Sequence, residues 1–505
     1  MKKKFVQKET MYLIYFSLIG RILIIIKDIL LADKIGVCCE MDNYVLALST
    51  IMFPAVVIGD GIIISMIPIL QIIGEDKGQE GRIEYTNNMI NIVLVMSIIL
   101  MGIGYIFAPI IISIFGPGII GFNLNETIGL FRIGLPIIFA SWFRAVTAGY
   151  LQSEHAFRAG AKGLISNPLV FLIYLIFFSS LFIARGVMLK GLMLVGTIAI
   201  FTQAYLLYDG MRKRGFKYKW KFNLKDKYLK KMAIFLIPIA AGFGINQVNI
   251  SIDNAIASTL PMGSIAELNY ANEIINFFLG IFVLAIVTVV FPALAESHNK
   301  EEFDDLKEGL RYGINSILNY AVPISIILGS MSAPIVKLIY ERGAFDAEAT
   351  FFTAQALTYY SIGFIALTFI PMITRAYYSI HEMRTPFFIG ILMFIVNFVL
   401  NLILSPIMGG AGIALSTSIA SILFVVIGLY GLNKRLDVFK YESFGKALLK
   451  FPVAALIMLT GIVMTYGTMA TRLSDTFINN ILTVGLSSVV GVGLYVLVCR
   501  AFTNK

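Results

Sequence analysis

Charged residues are scarce in this chain. Asp, Glu, Lys and Arg make up 14% of its 505 residues, whereas hydrophobic residues make up 58%. A soluble protein of this length needs more charge than this to cover its surface, so the composition excludes an ordinary soluble fold. The mean hydropathy of +0.84 agrees. We therefore expect a membrane protein.

Cysteine and histidine are also scarce, with three residues of each type. Cys38, Cys39 and Cys499 have no spacing typical of metal ligands. The adjacent pair is interpreted as small apolar side chains, and redox activity is the alternative. These counts give no support to a metal centre built from histidine and cysteine.

Apolar segments close to the length of about 20 residues that spans a bilayer recur along the whole chain. The sequence predicts an all-α polytopic membrane protein with about 14 transmembrane helices. In order, the predicted spans are residues 11–33, 43–73, 86–113, 127–152, 164–184, 188–208, 232–258, 264–295, 313–338, 351–378, 387–405, 409–431, 449–470 and 477–499.

The loop between spans 6 and 7 determines the predicted orientation. Ten Lys and Arg residues lie between Arg212 and Lys231, and basic loops remain in the cytoplasm. Counting spans outward from this loop places both termini in the cytoplasm. The net charge of +10 is thus a topology signal spread over short loops, and we expect no nucleic-acid partner.

One motif, Ser-x-His-x-x-Arg, occurs twice, as Ser153-His155-Arg158 and as Ser379-His381-Arg384, 226 residues apart. Three further pairs follow in the same order at offsets of 224 to 226: Asn43-Tyr44 with Asn269-Tyr270, Asp28 with Asp253, and Pro68 with Pro292. Matches at nearly one offset indicate an internal duplication, and duplicated membrane chains that enclose a cavity are typical of transporters.

Six spans separate the repeated motifs, so both copies lie on the same side of the membrane. The duplication is therefore a parallel repeat related by a pseudo-two-fold axis along the membrane normal. We predict an N-terminal six-helix lobe at 1–210, a basic cytoplasmic linker at 211–231, a C-terminal six-helix lobe at 232–433 and a C-terminal helix pair at 434–505.

Several charged residues lie within predicted spans, where each is costly unless it is paired or in contact with water. They are Arg21, Lys27, Asp28, Asp60, Arg144, Asp253, Glu273 and Arg375. Snorkelling or ion pairing would explain some of them, Lys27 and Arg375 above all. Arg21 and Asp28 are seven residues apart and share a helix face. We interpret both, together with Arg144, as lining a water-filled cavity for an anionic headgroup.

Several stretches carry motifs of a known family: Gln247 to Asp253, Asn269-Tyr270-Ala271, Phe291-Pro292-Ala293-Leu294, Leu338 to Phe345 with its Arg-Gly-Ala-Phe, and Arg375 to Pro386. The N-terminal run adds Arg21, Lys27-Asp28, Gly36, Asp42, Asp60-Gly61 and Pro68. Together they resemble the MurJ (MviN) family of lipid II flippases over nearly the whole chain.

The resemblance implies two six-helix lobes and a final helix pair in the bacterial cell membrane. Family members move undecaprenyl-diphosphate-linked peptidoglycan precursor to the outer leaflet by alternating access. A diphosphate cannot cross about 30 Å of hydrocarbon unaided, whereas the polyprenyl tail can stay in lipid. We expect a monomer without an organic cofactor, contacting membrane lipid and a lipid-linked glycan, and driven by sodium or the membrane potential.

The family's substrate-binding residues can be carried over to this sequence by position. Arg21 and Lys27 match two cationic positions of span 1. Asp28, Asp42 and Asp60 match nearby acidic positions.

This chain also departs from the family pattern. Ala55 or Val56 stands where the family usually has an arginine in span 2. Ala271-Asn272-Glu273 stands where the family has Ala-Asp-Arg, so an arginine is exchanged for a carboxylate. Arg144 could compensate, and otherwise the substrate is another lipid-linked glycan.

Some family members bind sodium in the C-terminal lobe. Asp253, Asn397, Asn401 and Thr417 fall at the matching positions, and the i, i+4 spacing places Asn397 and Asn401 on one helix face. Hard oxygen ligands suit sodium. The alternative is that the asparagines only form hydrogen bonds between helices.

Other classes of membrane protein fit less well. A drug exporter of the same superfamily usually has acids and aromatics in its cavity, which disagrees with Arg21 and Lys27. An enzyme would need a general base, yet all three histidines, including His298, fall at predicted cytoplasmic ends. The sequence has no repeated motif that resembles a selectivity filter, so a channel is not indicated. A transporter is therefore preferred.

Overall fold

A computed structural model describes residues 2–154, 156–184, 187–299, 303–380, 382–436 and 450–503. Within these ranges the chain is helical, and the extended pairing is limited to one isolated bridge between Arg342 and Phe345. His155 and His381 of the repeated motif lie outside the described residues.

The helices are α1 (Lys2–Ile35), α2 (Cys39–Phe115), α3 (Gly121–Gly134), α4 (Pro136–Ser153), α5 (Phe157–Ile173), α6 (Ser179–Ala184), α7 (Met188–Arg212), α8 (Lys227–Ala257), α9 (Ser264–Asn299), α10 (Phe303–Ser330), α11 (Ser332–Tyr340), α12 (Ala347–Ser379), α13 (Arg384–Met408), α14 (Gly410–Leu436), α15 (Lys450–Ala470) and α16 (Phe477–Thr503).

These helices account for all the predicted spans. Three spans are built from consecutive helices: α3 with α4, α10 with α11, and α5 with α6, which are joined by a π-helical turn at Tyr174–Phe178. The long helix α2 contains two spans. In the part of the chain described, ten helical segments are long and apolar enough to cross a membrane. The predicted all-α polytopic fold is confirmed.

The two spans of α2 are separated at Gly78, where φ is 64° and ψ is −159°. Glycine reaches this region without the steric penalty that a Cβ brings. The Arg82 side chain bridges the turn by donating from Nε to the Leu70 carbonyl at 3.0 Å. The segment between the spans predicted at 43–73 and 86–113 is therefore helical on both sides of Gly78.

The chain forms two compact units. The first comprises Met1–Leu31 and Cys38–Ala266, and the second comprises Ala32–Val37 and Glu267–Lys505. In the first unit, α2 packs against α3, α4 and α8. In the second, α12 packs against α10 and α14, and α15 packs against α16 and α10. The predicted lobe boundaries describe the sequence repeat and stay a prediction.

The repeat is visible in the backbone. Gly36 with φ of 68° precedes α2, and Gly263 with φ of 98° precedes α9. The tyrosine of the repeated Asn-Tyr pair is buried in the first turns of each helix, with Tyr44 5% and Tyr270 1% exposed. In both halves a glycine with positive φ thus precedes the helix that buries the repeated tyrosine.

Candidate functional site

Lys27 and Asp28 form the first charged group of the candidate site. The Lys27 Nζ lies 2.7 Å from the Asp28 carboxylate, and the side chains are 21% and 4% exposed respectively. The same ammonium lies 5.6 Å from the centre of the Phe171 ring of α5. These contacts keep a cation partly accessible while its counter-ion is buried, which lowers the cost of both charges.

Arg144 and Asp60 form the second charged group. The guanidinium on α4 lies 3.8 Å from the carboxylate on α2, and the side chains are 25% and 37% exposed. The facing helices are fixed nearby, because Trp142 donates its indole N–H to the Pro54 carbonyl at 3.1 Å. Arg144 and Asp60, which the sequence marked as charges within spans, thus come together in the first unit.

Arg21 lies on α1, six residues before Lys27, and its side chain is half-buried. At about 1.5 Å per residue, this spacing places the two cations about 9 Å apart along the helix axis. Three cations predicted for the site, Arg21 and Lys27 on α1 and Arg144 on α4, therefore lie in the first unit. Lys27 pairs with Asp28, and Arg144 pairs with Asp60.

Asp42 has a contact that the sequence did not indicate. Its Oδ2 accepts a hydrogen bond from the Gly263 N–H at 2.6 Å, and its Oδ1 accepts one from the Ala266 N–H at 2.8 Å. The amides of the first turn of α9 have no helical partners, and a carboxylate there also complements the helix dipole. Asp42 is thus a cap supplied by α2, and its predicted contact with substrate stays a prediction.

The positions that depart from the family pattern are apolar or half-buried. Ala55 is 1% exposed, so this position of α2 holds a methyl group among packed side chains. Val56 is half-buried, and so is Glu273 on α9 of the second unit. Neither candidate position of α2 therefore replaces the missing arginine with another polar group.

Asn397, Asn401 and Thr417 come together in the second unit, as predicted. Asn401 donates from Nδ2 to the Asn397 Oδ1 at 2.8 Å, and Asn397 donates from Nδ2 to the Thr417 hydroxyl at 3.1 Å. Both asparagines are 0% exposed. Asp253 lies on α8 of the first unit.

This arrangement is a hydrogen-bonded link between α13 and α14. Two amide N–H groups point into the trio, and an N–H donor repels a cation. One amide oxygen, Asn397 Oδ1, already faces the trio, where it accepts the hydrogen bond of Asn401. Sodium binding stays a prediction.

Three buried asparagines near the start of the third span were not singled out from the sequence. Asn87, Asn88 and Asn91 are at most 2% exposed, and each donates its amide to a backbone carbonyl of the basic linker between α7 and α8. The pattern Asn-Asn-x-x-Asn could have indicated them in the sequence, because it places polar amides along one side of an otherwise apolar helix.

A family model described as "Lipid II flippase MurJ" matches residues 31–483. The chain belongs to the MurJ family of lipid II flippases. This confirms the resemblance seen in the motifs. Members of such a family are transporters, so the preference for a transporter over an enzyme is also confirmed.

Curated relatives match over most of their length. A protein of Buchnera aphidicola subsp. Acyrthosiphon pisum named "Probable lipid II flippase MurJ" is 26% identical over 92% of this chain and 91% of its own. A protein of Thermotoga maritima with the same name is 26% identical over 93% of each chain. The similarity therefore includes both halves of the repeat.

Solved structures show the same fold. A "Lipid II flippase MurJ, inward closed conformation" superposes with a TM-score of 0.79 at 23% identity, covering 97% of this chain and 99% of that one. An inward-facing multidrug resistance MATE family transporter of the MOP superfamily superposes with a TM-score of 0.70 at 13% identity, covering 86% and 96%. Both superpositions show that the chain has the fold of these transporters.

Proposed function

We propose that this chain translocates lipid II from the inner to the outer leaflet of the bacterial cell membrane by alternating access. The single observation that carries the proposal is the family match over residues 31–483. Such translocation requires a cationic, water-accessible site for the diphosphate, while the polyprenyl tail stays in lipid.

The first unit supplies suitable groups for the diphosphate. Arg21, Lys27 and Arg144 are cations within spans, and an arginine fork binds phosphate oxygens in pairs. Asp28 and Asp60 balance Lys27 and Arg144 when no substrate is bound. When a diphosphate binds, its oxygens replace the carboxylates as the partners of the cations. The positive charge of the site is therefore balanced both with and without substrate.

The substrate could differ in its headgroup from lipid II, which makes another lipid-linked oligosaccharide the second candidate. Glu273 and the apolar Ala55 favour it, because they remove positive charge from two positions where the family usually has arginine. Arg144 offsets one of these charges. Relative to the family pattern, the site holds less positive charge but keeps its cations on α1.

The remaining features are extensions of the same proposal. We place both termini in the cytoplasm, because the linker between α7 and α8 is strongly basic. The protein acts as a monomer. The membrane potential suits its driving force, since a diphosphate carries charge across the membrane.

The proposal can be tested by reconstitution. The purified chain is placed in vesicles whose lipid II carries a fluorescent label, and outer-leaflet label is measured with a membrane-impermeant quencher. Undecaprenyl diphosphate linked to an unrelated oligosaccharide is measured in parallel. Faster exposure of lipid II supports the proposal. Transport of the second lipid alone would assign the chain to another glycan, and transport of neither would contradict flippase activity.

A further inference from the structure

The cytoplasmic linker contains an alternation of basic and apolar side chains that its role in topology does not explain. Residues 217–225, here called the basic segment, read Lys-Tyr-Lys-Trp-Lys-Phe-Asn-Leu-Lys. Tyr218 is 45%, Trp220 66% and Leu224 61% exposed. Several large apolar side chains exposed within one short segment indicate a surface that contacts membrane or a partner.

The backbone of the basic segment is held against α2. Asn87 donates to the Lys217 carbonyl at 3.0 Å, and Asn91 donates to the Lys221 carbonyl at 2.8 Å. Asn88 and Asn223 form two hydrogen bonds. Asn88 donates from Nδ2 to the Asn223 carbonyl at 2.9 Å, and the Asn223 backbone N–H donates to the Asn88 Oδ1 at 2.7 Å. The backbone of the segment is therefore held in place on α2 before it meets any ligand.

These contacts also give the depth of the basic segment. The three asparagines lie in the first two turns of the span predicted at 86–113. At about 1.5 Å per residue, Asn91 lies about 8 Å inside the cytoplasmic end of that span. Tyr218 reaches the same level, since its hydroxyl donates to the Asn91 Oδ1 at 2.6 Å. The segment thus lies beside the end of the span predicted at 86–113, next to the membrane interface that the proposal requires.

The charges of the basic segment fit an anionic surface. Lys217, Lys219 and Lys225 are exposed, whereas Lys221 pairs with Glu84 and so helps to hold the segment on α2. Tyr and Trp favour the membrane interface because their rings are apolar and their edges polar. Each lysine near an anionic leaflet increases binding about fivefold.

We propose that the basic segment binds anionic phospholipid headgroups of the cytoplasmic leaflet. Lys217, Lys219 and Lys225 contact the phosphates, and Trp220 lies among the glycerol and upper acyl groups. Because the asparagines already fix the backbone, little conformational entropy is lost on binding. The site is separate from the charged groups of α1 and α4, and it does not depend on which lipid-linked glycan is transported.

The chain contains two tryptophans, and this makes the proposal directly measurable. Trp142 is 1% exposed inside the first unit, so Trp220 is the tryptophan that lipid can reach. The full chain and its Trp142→Phe variant are reconstituted in vesicles containing the same fraction of brominated phosphatidylglycerol or brominated phosphatidylcholine. Bromine quenches only a tryptophan in contact with it. We expect stronger quenching by phosphatidylglycerol in both proteins.

A triple variant, Lys217→Gln with Lys219→Gln and Lys225→Gln, tests the charge. In this variant the ratio of quenching by phosphatidylglycerol to quenching by phosphatidylcholine should fall at least about fivefold, and part of the quenching by each lipid should remain. Lys190→Gln, at the opposite end of α7, is the control and should keep the preference. Equal quenching of the native chain by the two lipids would overturn the proposal. No quenching by either lipid would also overturn it and would direct the search to an acidic soluble partner.

Discussion

The Arg144 guanidinium lies 3.8 Å from the Asp60 carboxylate and joins α4 to α2 within the first unit. Lys27 and Asp28 form a similar pair at 2.7 Å on α1. Two of the cations predicted for substrate binding are therefore already balanced by a carboxylate. Such a site can keep its cations inside a membrane protein in the absence of an anionic substrate.

The first prediction concerns the strength of the Arg144–Asp60 pair. Arg144→Gln and Asp60→Asn should each lower the free energy of unfolding, and a double-mutant cycle should give a coupling of about 1 kcal/mol, since both groups are partly exposed. Thermal unfolding in detergent measures it. The Lys190–Glu126 pair, at 3.6 Å and more exposed, is the matched control and should couple less. Strictly additive effects at Asp60 and Arg144 would show that the contact contributes nothing.

The second prediction is that Arg21→Ala abolishes transport while the protein remains inserted and at normal abundance. A cation in mid-span is costly to keep unless the site uses it. Vesicle flipping rate and membrane abundance are measured together. Arg132→Ala is the control, because Arg132 bonds to the Tyr105 carbonyl at 3.2 Å and is not a predicted site residue. A normal flipping rate for Arg21→Ala would rule out an essential role for this cation.

The third prediction separates capping from substrate binding at Asp42. Asp42→Ala removes the acceptor for the Gly263 and Ala266 amides, and loss of such a cap costs about 1 kcal/mol. Asp42→Asn keeps an acceptor oxygen and should restore most of this stability. Melting temperature and flipping rate are compared for both variants. If Asp42→Asn melts like the native chain but fails to transport, then the carboxylate charge itself is needed.

A fourth prediction concerns the hydrogen bonds that attach the basic linker to α2. Asn88→Ala removes both bonds to Asn223, and two buried hydrogen bonds are worth about 2 kcal/mol together. Trypsin should then cleave after the lysines of the basic segment more than tenfold faster. Asn479→Ala is the control, since Asn479 bonds to Ser474 in a different, exposed loop. Unchanged cleavage in Asn88→Ala would show that other contacts hold the linker.

The sequence predicted the number of spans because apolar length alone determines them. The tightness of the turn between the two spans of α2 was not visible, since it depends on the backbone of one glycine, Gly78, with φ of 64°. The pairs Lys27–Asp28 and Asp60–Arg144 use residues that their position within spans had already marked. The pairing of Asp60 with Arg144 could not be assigned, because it depends on how α2 and α4 pack.

The contacts of Asp42 and of the three asparagines could not be predicted from the sequence for a related reason. Asp42 acts on amides more than 220 residues away, and the sequence gives no sign of such a contact. Asn87, Asn88 and Asn91 bind backbone carbonyls, which every residue carries, so no complementary motif exists in the linker. Backbone partners leave no pattern in the side chains.

The last prediction concerns Glu273, where this chain has a carboxylate in place of the family's arginine. If this position of α9 faces the path of the diphosphate, a unit charge about 8 Å from a phosphate changes the interaction by about 2 kcal/mol at an effective dielectric of about 20. Glu273→Gln should therefore strengthen lipid II binding, and Glu273→Arg should strengthen it further. Binding is measured by native mass spectrometry of the purified protein with lipid II at graded concentrations.

Transport and binding need not change together, because a substrate held too tightly is released slowly. Complementation of a strain depleted of its own lipid II flippase is therefore measured for the same variants. The native chain should rescue growth if it flips lipid II, and Glu273→Arg should bind more tightly without a proportionate gain in rescue. Equal affinity in Glu273→Gln, Glu273→Arg and the native chain would show that Glu273 does not act on the diphosphate. In that case its charge serves the packing of the second unit.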